Sequence, residues 1–194
     1  MAGPGLNGEQ IILMQSALIS RACGTQEKEI DAATQLDKQI FSLLQKISDN
    51  ELAGSKISRL LIDYSKKRGT DSTPYNEIKT RIDLQVKSLT SPWFRTFLRI
   101  EPVDYLSKVK CPLLALNGSL DLQVPPHENL EAIEKALIFG GNPNYRIEEI
   151  PGLNHLFQTA TRGTPAEYGK IEETLSPVVL ELIATWVKSN LVTK

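Results

Sequence analysis

Pro112-Leu-Leu-Ala-Leu-Asn117 is a short apolar run that ends at Gly118 and leads into Ser-Leu-Asp-Leu-Gln-Val-Pro-Pro, residues 119–126. A continuous apolar run of this length, closed by a glycine, is typical of a strand that is buried on both faces. The two prolines at its far end favour the start of a helix. This stretch therefore predicts a buried strand, a loop that carries polar side chains, and a helix.

The sequence downstream repeats the alternation of helix and strand. An amphipathic segment runs to Gly140-Gly141, Tyr145 to Ile150 alternates in strand fashion, and Pro151-Gly152 ends that strand. Ser176-Pro177 opens a closing helix. Because a single helix connects the two strands, we expect a βαβ unit with parallel strands and assign the chain to the α/β class.

The sequence before residue 100 has a different character. Apolar residues recur at helical spacing, and four helices are expected to begin near Glu9, Thr25, Asn50 and Thr73. We therefore expect a helical region over residues 9–100.

Composition excludes several classes of function. The chain has 194 residues with 22 Lys plus Arg against 23 Asp plus Glu, so its net charge of -1 predicts no nucleic-acid partner. The apolar run from Ile11 to Met14 is far shorter than the roughly 20 residues of a membrane span, so we expect none. Asp121, His127 and His155 include no pair at i, i+4 spacing, so neither a metal nor a cofactor is expected.

Asp121 and His155 are the candidate catalytic residues. Each follows one of the two predicted strands, and the carboxyl ends of parallel strands meet at one edge of a sheet, where active sites form. A carboxylate beside an imidazole fixes the tautomer of the ring, and its other nitrogen can then act as a base toward a nucleophile. The alternative is that Asp121 only shapes a turn and His155 only closes a loop.

The order strand, Gly118-x-x-Asp121, Val-Pro, helix, strand, Gly152-x-x-His155 resembles the C-terminal half of an α/β-hydrolase. Ser91-Pro-Trp-Phe94 and the two loops are most similar to capped bacterial members described as serine aminopeptidase-like or acyl hydrolases. The resemblance implies that Asp121 is the triad acid and His155 the triad histidine.

The same resemblance implies a partial α/β-hydrolase fold. Residues 1–8 would be the end of a core strand and its loop, residues 9–100 a helical cap, and residues 101–194 the last part of the core. The N-terminal strands would be missing. We therefore expect an unpaired strand edge, an uncovered face on the closing helix, and self-association.

The chain departs from the family at the nucleophile. No Gly-x-Ser-x-Gly elbow occurs in the 194 residues. Ser91 and Ser119 lie in loops, but neither is expected to sit on the strained strand-to-helix turn of a nucleophile.

Trp93, Phe94 and Phe97 are candidates for lining a substrate pocket, and packing of the helical region is the equally weighted alternative. The leading hypothesis is one part of a serine hydrolase that cleaves a small acyl ester, thioester or amide and is inactive alone. The alternative is a non-catalytic binding fragment or paralogue. Relatives of this capped type are often exported, so the chain does not define a localisation.

Overall fold

A computed structural model describes residues 4–69 and 74–191. Its helices are α1 (Gly8–Ala22), α2 (Glu27–Lys46), α3 (Asn50–Lys67), α4 (Tyr75–Leu89), α5 (Pro92–Arg99), α6 (Val103–Leu106), α7 (Pro126–Phe139) and α8 (Pro177–Leu191). Its strands are β1 (Leu113–Gly118) and β2 (Tyr145–Ile150), and a 3-10 helix spans Pro165–Lys170. The chain divides into two compact units, Gln26–Ile100 and the remainder.

The unit Gln26–Ile100 consists of the helices α2 to α5. Its core contains Ile40, Phe41, Leu44 and Ile57, all of them 2% exposed or less. These residues are apolar at helical spacing, so each helix turns one stripe inward. Two of the helices begin at side-chain caps: the Asp49 carboxylate accepts from the Leu52 amide, and the Ser91 hydroxyl accepts from the Phe94 amide.

The other unit contains α1, the residues from Glu101 onward and the only sheet of the described residues. The strands β1 and β2 pair in parallel, in a register that places Leu113 opposite Tyr145 and Gly118 opposite Ile150. One cluster packs α7 onto this pair, and a second contains Val179 of α8. The carboxyl ends of β1 and β2 lie side by side, which brings the loops after Gly118 and Ile150 together.

The expected fold class is wrong. The described residues are mostly helical, and their single sheet has two strands, so they do not form the βαβ core of an α/β-hydrolase. The physical reason is that the local pattern of a strand does not show how many further strands pair with it, so two strand-like segments do not define the class of the whole fold. The parallel pairing of the two strands is confirmed.

The expected domain boundaries differ from the observed units. The end of the helical region near residue 100 agrees with the unit that ends at Ile100, but that unit begins at Gln26 rather than at residue 9. Helix α1 belongs to the unit that contains the sheet. Residues 1–8 were expected to be the end of a core strand and its loop. Residues 1–3 lie outside the described residues, and α1 begins at Gly8. The predicted helix start at Thr73 also lies outside them.

None of the helices in the described ranges combines the length and the apolar character that crossing a bilayer requires.

Candidate functional site

The parallel strand pair brings Asp121 and His155 into contact. The imidazole Nδ1 of His155 lies 2.9 Å from Oδ2 of Asp121. Both residues follow strand ends that are held in register by the Gly118–Ile150 pair, as their position in the sequence predicts. The predicted proximity of these two residues is therefore present in the structure.

Three further hydrogen bonds tie the two loops together beyond the strands. The Ser119 amide donates to the Ile150 carbonyl and the Leu120 amide to the Leu153 carbonyl, each at 2.9 Å. The Gly152 amide donates to the Ser119 hydroxyl at 2.9 Å. These bonds join the two segments that directly precede Asp121 and His155, and they thereby hold the two residues close together.

Asp121 is 4% exposed, and both of its carboxylate oxygens have partners. Its Oδ1 accepts from the amides of Gln123 and Val124, each at 2.8 Å. Its Oδ2 accepts from the Asn117 side-chain amide at 3.1 Å and faces His155. These four hydrogen bonds fix the orientation of the Asp121 carboxylate.

A chain of buried amides supports the carboxylate from behind. Asn117 Oδ1 accepts from Asn129 Nδ2 at 2.7 Å, and Asn129 Oδ1 accepts from the Gly5 amide at 2.6 Å. Both asparagines are at most 4% exposed. Because each amide end has a defined partner, the network fixes which side of Asn117 donates to Asp121.

The loop that presents His155 is built around Asn154, which is fully buried. The Asn154 Oδ1 accepts from the amides of Leu156 and Gln158, and its Nδ2 donates to Gln158 Oε1, all at 2.9 to 3.0 Å. Phe157 adopts a φ of 57°, a left-handed conformation that is uncommon for a residue other than glycine. The loop is thus held by its own hydrogen bonds.

The electrostatics of the pair follow from this geometry. The hydrogen bond to Asp121 raises the pKa of His155 above its ordinary value, and partial burial of the ring opposes this shift. An ionised carboxylate only accepts hydrogen bonds, so Nδ1 of His155 carries the proton and Nε2 has the lone pair. Among the described residues no side chain or backbone group bonds to this Nε2, and the side chain is 23% exposed.

A cavity of about 420 Å³ lies in the same unit beside the acid. Asp121, Leu122 and His127 line it together with Met14 and Leu18 of α1. His127 lies in the first turn of α7 and is exposed. The sequence gives no signal for the participation of α1, because Met14 and Leu18 are more than a hundred positions away from Asp121.

The three aromatic candidates lie in the other unit, on α5. Trp93 and Phe97 are stacked at 5.4 Å between ring centroids, and Phe94 packs at 6.2 Å from Phe41. Trp93 is 70% exposed. The structure thus brings the three rings into one cluster, and their role in substrate binding stays a prediction.

The two serines weighed as nucleophiles have structural hydrogen bonds. Ser91 caps α5, and the Ser119 hydroxyl accepts from the Gly152 amide. Neither bonds to His155. The sequence did not point to Asn117, Asn129 or Asn154 as parts of the site. The one available signal was Asn117, an asparagine at the end of an otherwise apolar strand.

Comparisons with known proteins give no relative on which to draw: no family model, no curated protein and no solved structure matches the chain.

Proposed function

We propose that Asp121 and His155 are the acid and the histidine of a serine hydrolase that cleaves an acyl ester, thioester or amide. The observation that carries this proposal is the 2.9 Å contact between the buried carboxylate and Nδ1 of His155, which leaves Nε2 without a partner among the described residues. One ring nitrogen is thus held by a buried carboxylate whose orientation is fixed by hydrogen bonds.

The chemistry of the pair is general acid and base catalysis. The oxygen of a nucleophilic hydroxyl forms a bond to the acyl carbon while Nε2 of His155 accepts the hydroxyl proton. Asp121 stabilises the resulting imidazolium. The bond from the acyl carbon to the leaving group then breaks, and Nε2 returns the proton to that group. A water molecule then attacks the acyl carbon in the same way, with His155 as the base, and the carboxylic acid product is released.

The resemblance to α/β-hydrolases enters this proposal at the level of two motifs. Gly118-x-x-Asp121 and Gly152-x-x-His155 correspond to the acid and histidine segments of that family. The close approach at Gly118 supports the first motif, because a Cβ there would lie 2.2 Å from the Leu153 carbonyl oxygen. Only glycine allows the two loops to approach in this way.

We propose further that the chain by itself is inert, because the 194 residues contain no Gly-x-Ser-x-Gly nucleophile. The test compares the recombinant chain with the form isolated from the cells that make it, using an activated acyl ester. We expect turnover only in the isolated form, with loss of turnover on His155→Ala and no loss on the matched change His127→Ala. Turnover that is indifferent to His155, or no turnover in either form, would favour the non-catalytic alternative.

We also propose that the chain self-associates. Leu180, Ile183 and Val187 lie on one side of α8 and are 39% to 53% exposed, which leaves an apolar face uncovered by the described residues. Burial of such a face against a second copy removes apolar surface from water, and two-fold symmetric dimers are the commonest homo-oligomers.

A further inference from the structure

A groove follows the solvent side of the consecutive helices α2 and α3. It consists of two adjoining cavities, of about 700 and 640 Å³, which share Gln35, Gln39, Leu60 and Asp63 in their walls. The groove belongs wholly to the helical unit Gln26–Ile100. It is separate in sequence from both loops of the proposed catalytic pair.

The walls of this groove carry a strong excess of positive charge. Its unpaired cations are Lys28, Lys38, Lys46, Lys56, Arg59 and Lys67. None of them forms an ion pair with a described residue, and Asp63 is the only carboxylate in the walls besides Glu29, which pairs with Arg68 at 3.4 Å. In a chain with a net charge of -1, this clustering marks one surface. We refer to these residues as the cationic groove.

The floor of the cationic groove is apolar. Leu36 and Leu43 lie two turns apart on α2, and Leu60 of α3 contributes to both cavities. All three are half-buried, so they are held by the helix pair and still reach the groove. These leucines form an apolar floor of the kind on which an amphipathic helix lays its apolar face.

We propose that the cationic groove binds an acidic amphipathic helix of a partner protein. From Lys28 to Lys46 the groove is about 27 Å long at 1.5 Å per residue, which corresponds to a partner helix of roughly 18 residues. The apolar stripe of that helix lies against the leucines, and its Asp and Glu residues face the flanking cations.

The shape and chemistry of the groove favour an acidic helix over two other negatively charged occupants, an anionic membrane surface and a nucleic-acid strand. A flat bilayer surface contacts ridges and leaves the leucines between α2 and α3 uncovered. A nucleic-acid strand uses aromatic rings for stacking, and the walls contain one, Tyr64. A helix with an apolar stripe and acidic flanks uses both features of the groove.

The experiment measures fluorescence anisotropy of a labelled, roughly 18-residue helical peptide with leucines at i, i+4 and i+7 and glutamates beside them. The full-length chain is compared with Lys38→Glu/Arg59→Glu. The control is Lys66→Glu/Lys87→Glu, which makes the same charge change at exposed helical positions outside the groove walls. Circular dichroism confirms that each variant keeps its helix content.

We expect the groove variant to weaken peptide binding about tenfold, the control less than about twofold, and a peptide with scrambled leucines to bind as weakly as the groove variant. Leu60→Gln tests the floor without a charge change and is expected to weaken binding as well. Equal weakening by both charge variants, equal binding of the scrambled peptide, or preference for vesicles of anionic phospholipid or for a single-stranded oligonucleotide would overturn the proposal. Binding between two copies of this chain at the groove would overturn it too.

Discussion

Asn117 lies at the centre of the buried polar network and connects Asn129 with Asp121. Replacement by alanine leaves the Asn129 amide and one site on the carboxylate without a partner in a buried position. We expect Asn117→Ala to lower the free energy of unfolding by about 2 kcal/mol. Urea denaturation measures it, with the exposed Asn76→Ala as control, expected within about 0.5 kcal/mol of wild type. Equal effects of the two changes would show that the network contributes no stability.

The raised pKa of His155 predicts a pH dependence of stability. Because the pKa is higher in the folded state, the folded chain binds more protons in the interval above the ordinary value of 6.5. The contribution of the pair is therefore fully present below pH 6.5 and is lost as the pH rises through the folded-state pKa. Urea denaturation of wild type and of His155→Gln at several pH values gives the difference in the free energy of unfolding that His155 contributes at each pH. A difference that grows with rising pH would contradict it.

At the scale of residues, the sequence predicts the charged pair but not its supports. Asp121 and His155 follow recognisable strand ends, so their approach is a consequence of the parallel register. The roles of Asn129 and Gly5 depend on contacts between distant segments, such as the 2.6 Å bond from the Gly5 amide to Asn129. No local pattern encodes such contacts.

Among the elements, the end of β1 leaves no room for a side chain at Gly118. A Cβ at Gly118 would meet the Leu153 carbonyl oxygen at 2.2 Å, and backbone cannot move aside as a flexible side chain does. We expect Gly118→Ala to cost about 3 kcal/mol of stability and to lower the pKa of His155, because the two loops separate. The control is Gly169→Ala, where an added Cβ meets nothing within 4 Å. Denaturation together with an NMR titration of His155 measures both effects, and an unchanged pKa would contradict the account of the loops.

The elements themselves were partly predictable. The apolar run and its glycine identified β1, and helical periodicity identified four of the five helices described before residue 100. The short helix α5 was not predicted. Cap positions were less certain: Asp49 caps α3, one residue before the expected Asn50, because its carboxylate reaches the Leu52 amide at 2.7 Å. The fold class failed because two strands with the right local pattern do not reveal how many further strands pair with them.

For the whole molecule, the exposed apolar face of α8 predicts self-association. Light scattering at micromolar concentration is expected to give a mass above 21.6 kDa, and Leu180→Lys/Ile183→Lys is expected to shift the chain toward the monomer. A single species of 21.6 kDa with cooperative unfolding would contradict this expectation.

The central claim is that Asp121 holds His155 as a base with its proton on Nδ1 and its lone pair on Nε2. The most direct measurement is a pH titration of the ¹⁵N-labelled imidazole by NMR, in the full-length chain and in Asp121→Asn. We predict an Nδ1–H tautomer and a pKa above 6.5 that falls in the variant, because the carboxylate that favours the imidazolium is gone. An Nε2–H tautomer, or a pKa that does not respond to Asp121→Asn, would contradict the account.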